Sequence, residues 1–307
     1  MRPLRPPVEQ LLAGFIDYAG LFPPAALAMA DAVRNYAAYA SGPTAWILGR
    51  FVVPARRLEE FGVCYEALRP AERGPGCWVL SGILGPDPAG DLELVRRYNQ
   101  GPMGDRAPVV AVEGAAATPE EVRRLAALAP RGVRLAIELP RGGPLAELVQ
   151  AVGEVGALAK ARTGGTRPED IPDTEAVLAF LGACAARRQP CKVTAGLHHP
   201  VRRMAPLTYE PGSAGARMFG YLNLLLAAAA LWHGRPAEAR GLLEEEDASR
   251  LAVTENRLVW GHRAFSVEEL RTTRREFVRA MGSCSFTEPV EELEALGVAL
   301  ASPGVPA

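Results

Sequence analysis

Residues 158–165 read LAKARTGG. Leu158, Ala159 and Ala161 have the composition of a short buried strand, and Gly164 with Gly165 supply the turn that ends it. Lys160 and Arg162 break the pattern. They stand two residues apart and therefore share one face of a strand. Residues 191–200, CKVTAGLHHP, repeat the arrangement, with Lys192 near the start and Gly196 in the turn. Cations inside a strand layer need partners, because desolvating a lone ion is costly. The two stretches therefore predict both a buried parallel sheet and a charged site at its carboxyl edge.

Working outward, similar apolar runs recur along the chain at residues 14–19 (GFIDYA), 45–53 (AWILGRFVV), 77–84 (CWVLSGIL), 108–113 (PVVAVE), 133–139 (VRLAIEL) and 278–283 (VRAMGS). With 158–162 and 191–195 they make eight. Amphipathic helical stretches separate them, among them TPEEVRRLAALA and DTEAVLAFLGACAARR. Thr118 before Pro119 and Glu121 is an N-cap with proline in the first turn, and Asp173 caps a later helix in the same way. Eight strands alternating with helices predict an α/β fold, a (β/α)8 TIM-type barrel, with an open doubly wound sheet as the alternative.

Residues 200–277 exceed what one crossover helix needs. They are read as a helical insertion between strand 7 and strand 8, packed against or over the barrel mouth. The chain, residues 1–307, is thus expected to be a single barrel domain with that insertion. The proline-bearing ends MRPLRPP and SPGVPA are expected to be loose.

Composition excludes several classes. The formal net charge of −1 gives no basic excess for nucleic acid. The longest apolar run, 218–232, is too short to span a bilayer, and no signal-peptide core opens the chain, so no membrane partner and a cytoplasmic location are expected. The same run suits a core or a subunit interface, which leaves a homo-oligomer open. The five cysteines lack CxxC spacing and are read as buried or semi-buried free thiols.

In a closed barrel the chemistry collects at the carboxyl ends of the strands. The polar residues there are Asp17 with Tyr18, Arg50, Ser81, Glu113, Glu138, Lys160 with Arg162, Lys192 with Thr194, His198 and His199, and finally Ser283, Cys284 and Ser285. Glu113 and Glu138 read either as counter-ions or as proton-shuttling carboxylates. His198 and His199, adjacent and without HxxxH or HxH spacing, read as substrate-positioning groups rather than metal ligands. The turns at Thr163, Gly164 and Gly165, at Gly196, and at Gly282 to Ser285 offer backbone N–H groups for an anion.

Three stretches, KARTG at 160–164, KVTAG at 192–196 and GSCS at 282–285, resemble the class I aldolases of the deoxyribose-phosphate type, over about a third of the chain. That family carries a lysine in K-T-S-T-G on the sixth strand, a second in K-x-x-G-G on the seventh, and a phosphate-binding G-T-S-S turn on the eighth. The resemblance implies that Lys160 forms a Schiff base and Lys192 depresses its pKa. Arg162 stands where the family has a small residue, Ala195 replaces a glycine, and the insertion is foreign to the pattern. The family's proton-relay aspartate has no assigned counterpart among Glu113, Glu138 and Asp17. DYAGLFPPA and GLHHPVR look like marks of a separate bacterial family.

The expected function is an aldolase-like lyase, without metal or cofactor, acting on a small anionic carbonyl compound. Lys160, Lys192, Glu113 and Glu138 are the catalytic set. Asp17, Arg50, Arg162, Thr163, Gly164, Gly165, Thr194, Gly196, His198, His199, Gly282, Ser283 and Ser285 are the binding set. Two alternatives stand beside it. One is a metal-dependent isomerase or hydrolase holding its ion with Glu113, Glu138 and His198 or His199. The other is a barrel that binds such a ligand without turning it over.

Overall fold

A computed structural model describes residues 4–74 and 76–297. Seven strands, β1 (Ile16–Tyr18), β2 (Leu48–Pro54), β3 (Leu80–Ile83), β4 (Val109–Ala115), β5 (Arg134–Glu138), β6 (Leu158–Arg162) and β7 (Cys191–Thr194), lie side by side and parallel. An eighth, Val278–Ser283, pairs with both β7 and β1 and closes the barrel. The expected (β/α)8 architecture is therefore present. Strand 45–53 begins later than its apolar run, because Ala45–Ile47 forms a 3-10 turn first.

Helices return the chain between strands: α1 (Pro6–Leu12) precedes the barrel, followed by α2 (Met29–Ser41), α3 (Leu58–Ala67), α4 (Pro88–Gln100), α5 (Pro119–Leu128), α6 (Leu145–Glu154) and α7 (Thr174–Ala186). The predicted caps form. Thr118 Oγ1 accepts from the Glu121 N–H at 3.2 Å, and Asp173 Oδ1 accepts from the Ala176 N–H at 2.8 Å, each satisfying a helix donor that has no partner within its own helix.

Helix α1 corrects the expectation of a loose start. MRPLRPP is described from Leu4 onward, and Pro6 opens the helix. Val8, Leu11 and Leu12 recur at helical spacing and are all buried, each side chain contributing about 1.5–3 kcal/mol relative to exposure. SPGVPA lies outside the described residues.

Residues 200–277 hold more than helices. A hairpin of β8 (Arg203–Pro206) and β9 (Gly215–Met218) follows β7. Next comes α8 (Tyr221–Trp232), which packs beside α7 as the ordinary crossover helix of the barrel. After it come α9 (Pro236–Leu243), the antiparallel strands β10 (Leu251–Val253), β11 (Arg257–Trp260) and β12 (Arg263–Ser266), and α10 (Val267–Thr272), leading into β13, the eighth barrel strand Val278–Ser283. Only the hairpin follows a strand directly and so stands at the mouth. The three-stranded sheet follows the return helix and packs at the opposite end, against α1, where Arg5 donates to the Val253 carbonyl.

Asn223 interrupts the apolar run of α8 for a reason. It is fully buried, accepts from the Arg202 N–H at 2.8 Å, and donates to the carbonyls of Leu242 at 2.7 Å and Glu245 at 2.8 Å. One side chain thus ties the hairpin to α9 with its polar atoms satisfied. The rest of α8 is core, with only Leu231 partly exposed. No helix among the described residues is long and apolar enough to cross a membrane.

Candidate active site

The register of β5, β6 and β7 places Glu138 beside Lys160 and Lys160 beside Lys192. Two neighbouring ammonium groups repel, and the barrel resolves this with carboxylates from other strands. Glu113 of β4 gives Oε2 to Lys160 Nζ at 2.9 Å and Oε1 to Lys192 Nζ at 2.7 Å. Glu138 Oε2 takes the other side of Lys160 at 2.9 Å, and Asp17 Oδ2 takes the other side of Lys192 at 2.5 Å. Asp17 in turn accepts from the Arg50 backbone N–H at 2.8 Å and lies 3.4 Å from its guanidinium. Ser81 Oγ donates to Glu113 Oε1 at 2.7 Å. The result is one chain of alternating charge, Arg50, Asp17, Lys192, Glu113, Lys160, Glu138, running through the barrel interior.

This geometry fixes protonation. Burial alone favours a neutral Glu113, but the Lys160 and Lys192 ammonium groups outweigh it and hold the carboxyl well below the usual carboxylate range. Burial likewise favours a neutral Lys160, and Glu113 with Glu138 outweigh it, holding the amine above the ordinary lysine value. The direction is opposite to the expected depression of Lys160 by Lys192. Glu113 stands between the two cations and cancels the repulsion that would have done it.

A cavity of about 500 Å³ opens over this chain at the carboxyl ends of the strands, lined among others by Lys160, Lys192, Glu113, Glu138, Arg162 and Cys284. Of the expected binding residues, Gly165, Thr194, Gly196, His198 and Gly282 also line it. Asp17 and Arg50 do not, and act from beneath through Lys192. Thr163 is buried beside it, with Oγ1 donating to the Ala195 carbonyl at 2.6 Å, so it staples two turns together rather than offering its hydroxyl to a ligand.

Two of the turn glycines, Gly164 and Gly196, also have a packing role. A Cβ on Gly164 would lie 2.6 Å from Gly196 Cα, and one on Gly196 would lie 2.8 Å from Gly164 Cα. These glycines let two backbones cross in contact, and Gly164 is not part of the cavity wall. Ala195 has φ of +64°, a left-handed conformation that favours glycine. Gly282 of β13 and Cys284 just after it face the cavity while Ser283, between them, does not. Its buried Oγ has no hydrogen-bond partner among the described residues. Ser285 Oγ accepts from the Glu288 N–H at 3.2 Å and lies outside the cavity.

The two histidines part company. His199 Nδ1 meets Glu292 Oε1 at 2.9 Å, away from the cavity. His198 Nδ1 meets Glu288 Oε2 at 3.0 Å, and its Nε2 lies 3.8 Å from Cys284 Sγ. Glu288 and Glu292 belong to α11 (Thr287–Ala295), and neither figured among the expected site residues. The metal-dependent alternative needs Glu113, Glu138 and a histidine around one ion. Instead the glutamates hold Lys160 and the histidines hold α11. Among the described residues no group of three or more His, Cys, Asp or Glu side chains is arranged to hold a metal.

Compared with protein families, curated proteins and solved structures, the chain matches none.

All five thiols are free. Cys64 is half-buried and Cys184, Cys191 and Cys284 are buried, while Cys77 is exposed, against expectation. Its thiol rests on the backbone carbonyls of Trp78 and Arg106, at 3.3 and 3.0 Å.

Proposed function

We propose that this barrel is an aldolase-like lyase that draws a small anionic carbonyl compound into the mouth and forms a Schiff base on Lys160. The observation that carries the reading is Glu113, which bridges Lys160 and Lys192 on the cavity floor. It sets one carboxylate between the two lysines that the resemblance to the deoxyribose-phosphate type singles out.

Lys160 rests as an ammonium ion, so attack on a carbonyl requires a proton acceptor. Glu138 is suited to this: it is 2.9 Å from Nζ and its side chain is 24% exposed, so it reaches both the lysine and the cavity. As Nζ bonds to the carbonyl carbon, the π pair moves to oxygen and Glu138 takes the ammonium proton. Returned to the carbinolamine oxygen, with a second proton from the nitrogen, it releases water and leaves the imine. Glu113 stays ionised and stabilises the iminium charge, while Asp17 and Ser81 keep Lys192 and Glu113 in place. Arg162, exposed at the rim, presents a planar fork to the substrate's acidic group.

The test is borohydride reduction with a panel of small aldehydes and 2-oxoacids, followed by peptide mapping. An adduct on Lys160 is expected, and its absence throughout the panel would overturn the reading. The double pairing of Lys160 favours a second reading, in which the charge chain only holds the ligand. Tight binding of an acidic metabolite without adduct or product would mark that case.

A further inference from the structure

We propose that Cys284, His198 and Glu288 form a second reactive centre in the same mouth, in which the Cys284 thiol adds to the carbonyl carbon of an aldehyde. Three separate segments build it. Cys284 follows β13 and lines the cavity shared with Lys160; His198 comes from the turn after β7; Glu288 comes from the first turn of α11. Cys284 Sγ lies 3.8 Å from His198 Nε2, and His198 Nδ1 lies 3.0 Å from Glu288 Oε2. This is a nucleophile, a base and an orienting carboxylate in sequence. Tyr209, from the turn of the β8–β9 hairpin, closes the group. Its hydroxyl donates to Glu288 Oε2 at 3.3 Å and lies 3.9 Å from the sulfur.

A buried cysteine is ordinarily inert packing. Cys284 differs from the other four thiols in its imidazole partner. Burial opposes a charge on His198, and the Cys284 sulfur and Glu288 carboxylate outweigh it, lifting the imidazole to about 10. A histidine so disposed takes the thiol proton, and Glu288 fixes its Nδ1–H. Besides these groups, Tyr209 and, from β1, Tyr18 act on the thiol electrostatically. In the addition the Sγ–C bond forms, the C=O π pair moves to oxygen, and that oxygen takes the proton held at His198 Nε2. The product is a thiohemiacetal, with no oxidant and no leaving group. The step does not depend on imine formation at Lys160.

The experiment is iodoacetamide alkylation of the full chain with quantitative peptide mapping at pH 6 and pH 8, before any aldehyde is added. Exposed Cys77, whose thiol is pushed up by partial burial and Asp105, serves as the internal comparison. Cys284 is expected to react at least about tenfold faster than Cys77 at pH 6 and to change little by pH 8. An unassisted thiol gains about tenfold per pH unit below its ordinary value near 8.5. His198→Gln should slow Cys284 at pH 6 by about tenfold, with Cys77 unchanged. Glycolaldehyde should protect Cys284 in the native protein, and gel filtration should restore its reactivity. A Cys284 that follows the Cys77 profile, or does not react, overturns the centre. Protection that persists only after borohydride belongs to Lys160 and overturns the aldehyde assignment to Cys284.

Discussion

Lys160 and Lys192 sit opposite each other in register on β6 and β7, and each Nζ takes a different oxygen of Glu113. Their pairing is therefore made through the carboxylate. Replacing it leaves two buried cations short of a partner. Glu113→Gln is expected to cost about 3–5 kcal/mol, as for other buried pairs that lose one member, read from the shift in the urea midpoint at pH 7. Glu138→Gln should cost less, because its side chain is partly solvated.

The same network predicts a pH profile. The folded value of Glu113 is depressed, so its contribution is present above the ordinary carboxylate value, about 4.3, and is lost as pH falls through the folded value. The folded value of Lys160 is raised, so its contribution is present below about 10.4 and is lost as pH rises through the folded value. Between pH 5 and pH 9 the stability gap between the native protein and Glu113→Gln should be level. Below pH 4 it should narrow. Urea titrations across that range check both limits.

If Lys160 attacks a carbonyl, Glu138 carries the proton. Glu138→Gln is then expected to lower the rate of borohydride-trapped adduct formation by about 10²–10⁴-fold, the usual share of a general acid–base. Single-turnover trapping separates this from any loss of ligand affinity.

The crossing of the two turns sets a steric prediction. Gly164→Ala puts a methyl 2.6 Å from Gly196 Cα, and backbone cannot swing aside, so about 1–3 kcal/mol of destabilisation is expected. Ala195→Gly should go the other way. Relief of the left-handed alanine outweighs the added chain entropy by about 0.5–1 kcal/mol. Thermal melts of the two variants should move in opposite directions.

Much of this architecture was legible in the apolar runs, because a strand buried on both sides writes itself as a short Val, Ile and Leu block. LAKAR and VRAMGS correspond to β6 and β13 residue for residue. The charged residues also announced themselves, since Lys160 and Glu113 contradict their own strands. Other features left weaker signals. The five strands within 200–277 are only three or four residues long, too short to show a period, and helix α1 opens on two prolines. Glu288 and Tyr209 sit in polar stretches where a glutamate or tyrosine needs no explanation, and only folding brings them to His198 and Cys284. The glycines of TGGT and AGL read as ligand loops, and a sequence does not show that Gly164 and Gly196 also admit each other's backbone.

The extra chain between β7 and β13 is divided by α8 into two parts at opposite ends of the molecule, which makes them separable as engineering modules. Shortening the β8–β9 hairpin withdraws Tyr209 and should alter thiol reactivity while leaving the lower sheet intact. Trimming β10 to β12 removes part of the packing of α1, which also rests on α10, and should lower the melting point without touching a residue of the mouth. One end of the barrel can thus be redesigned for chemistry and the other for durability.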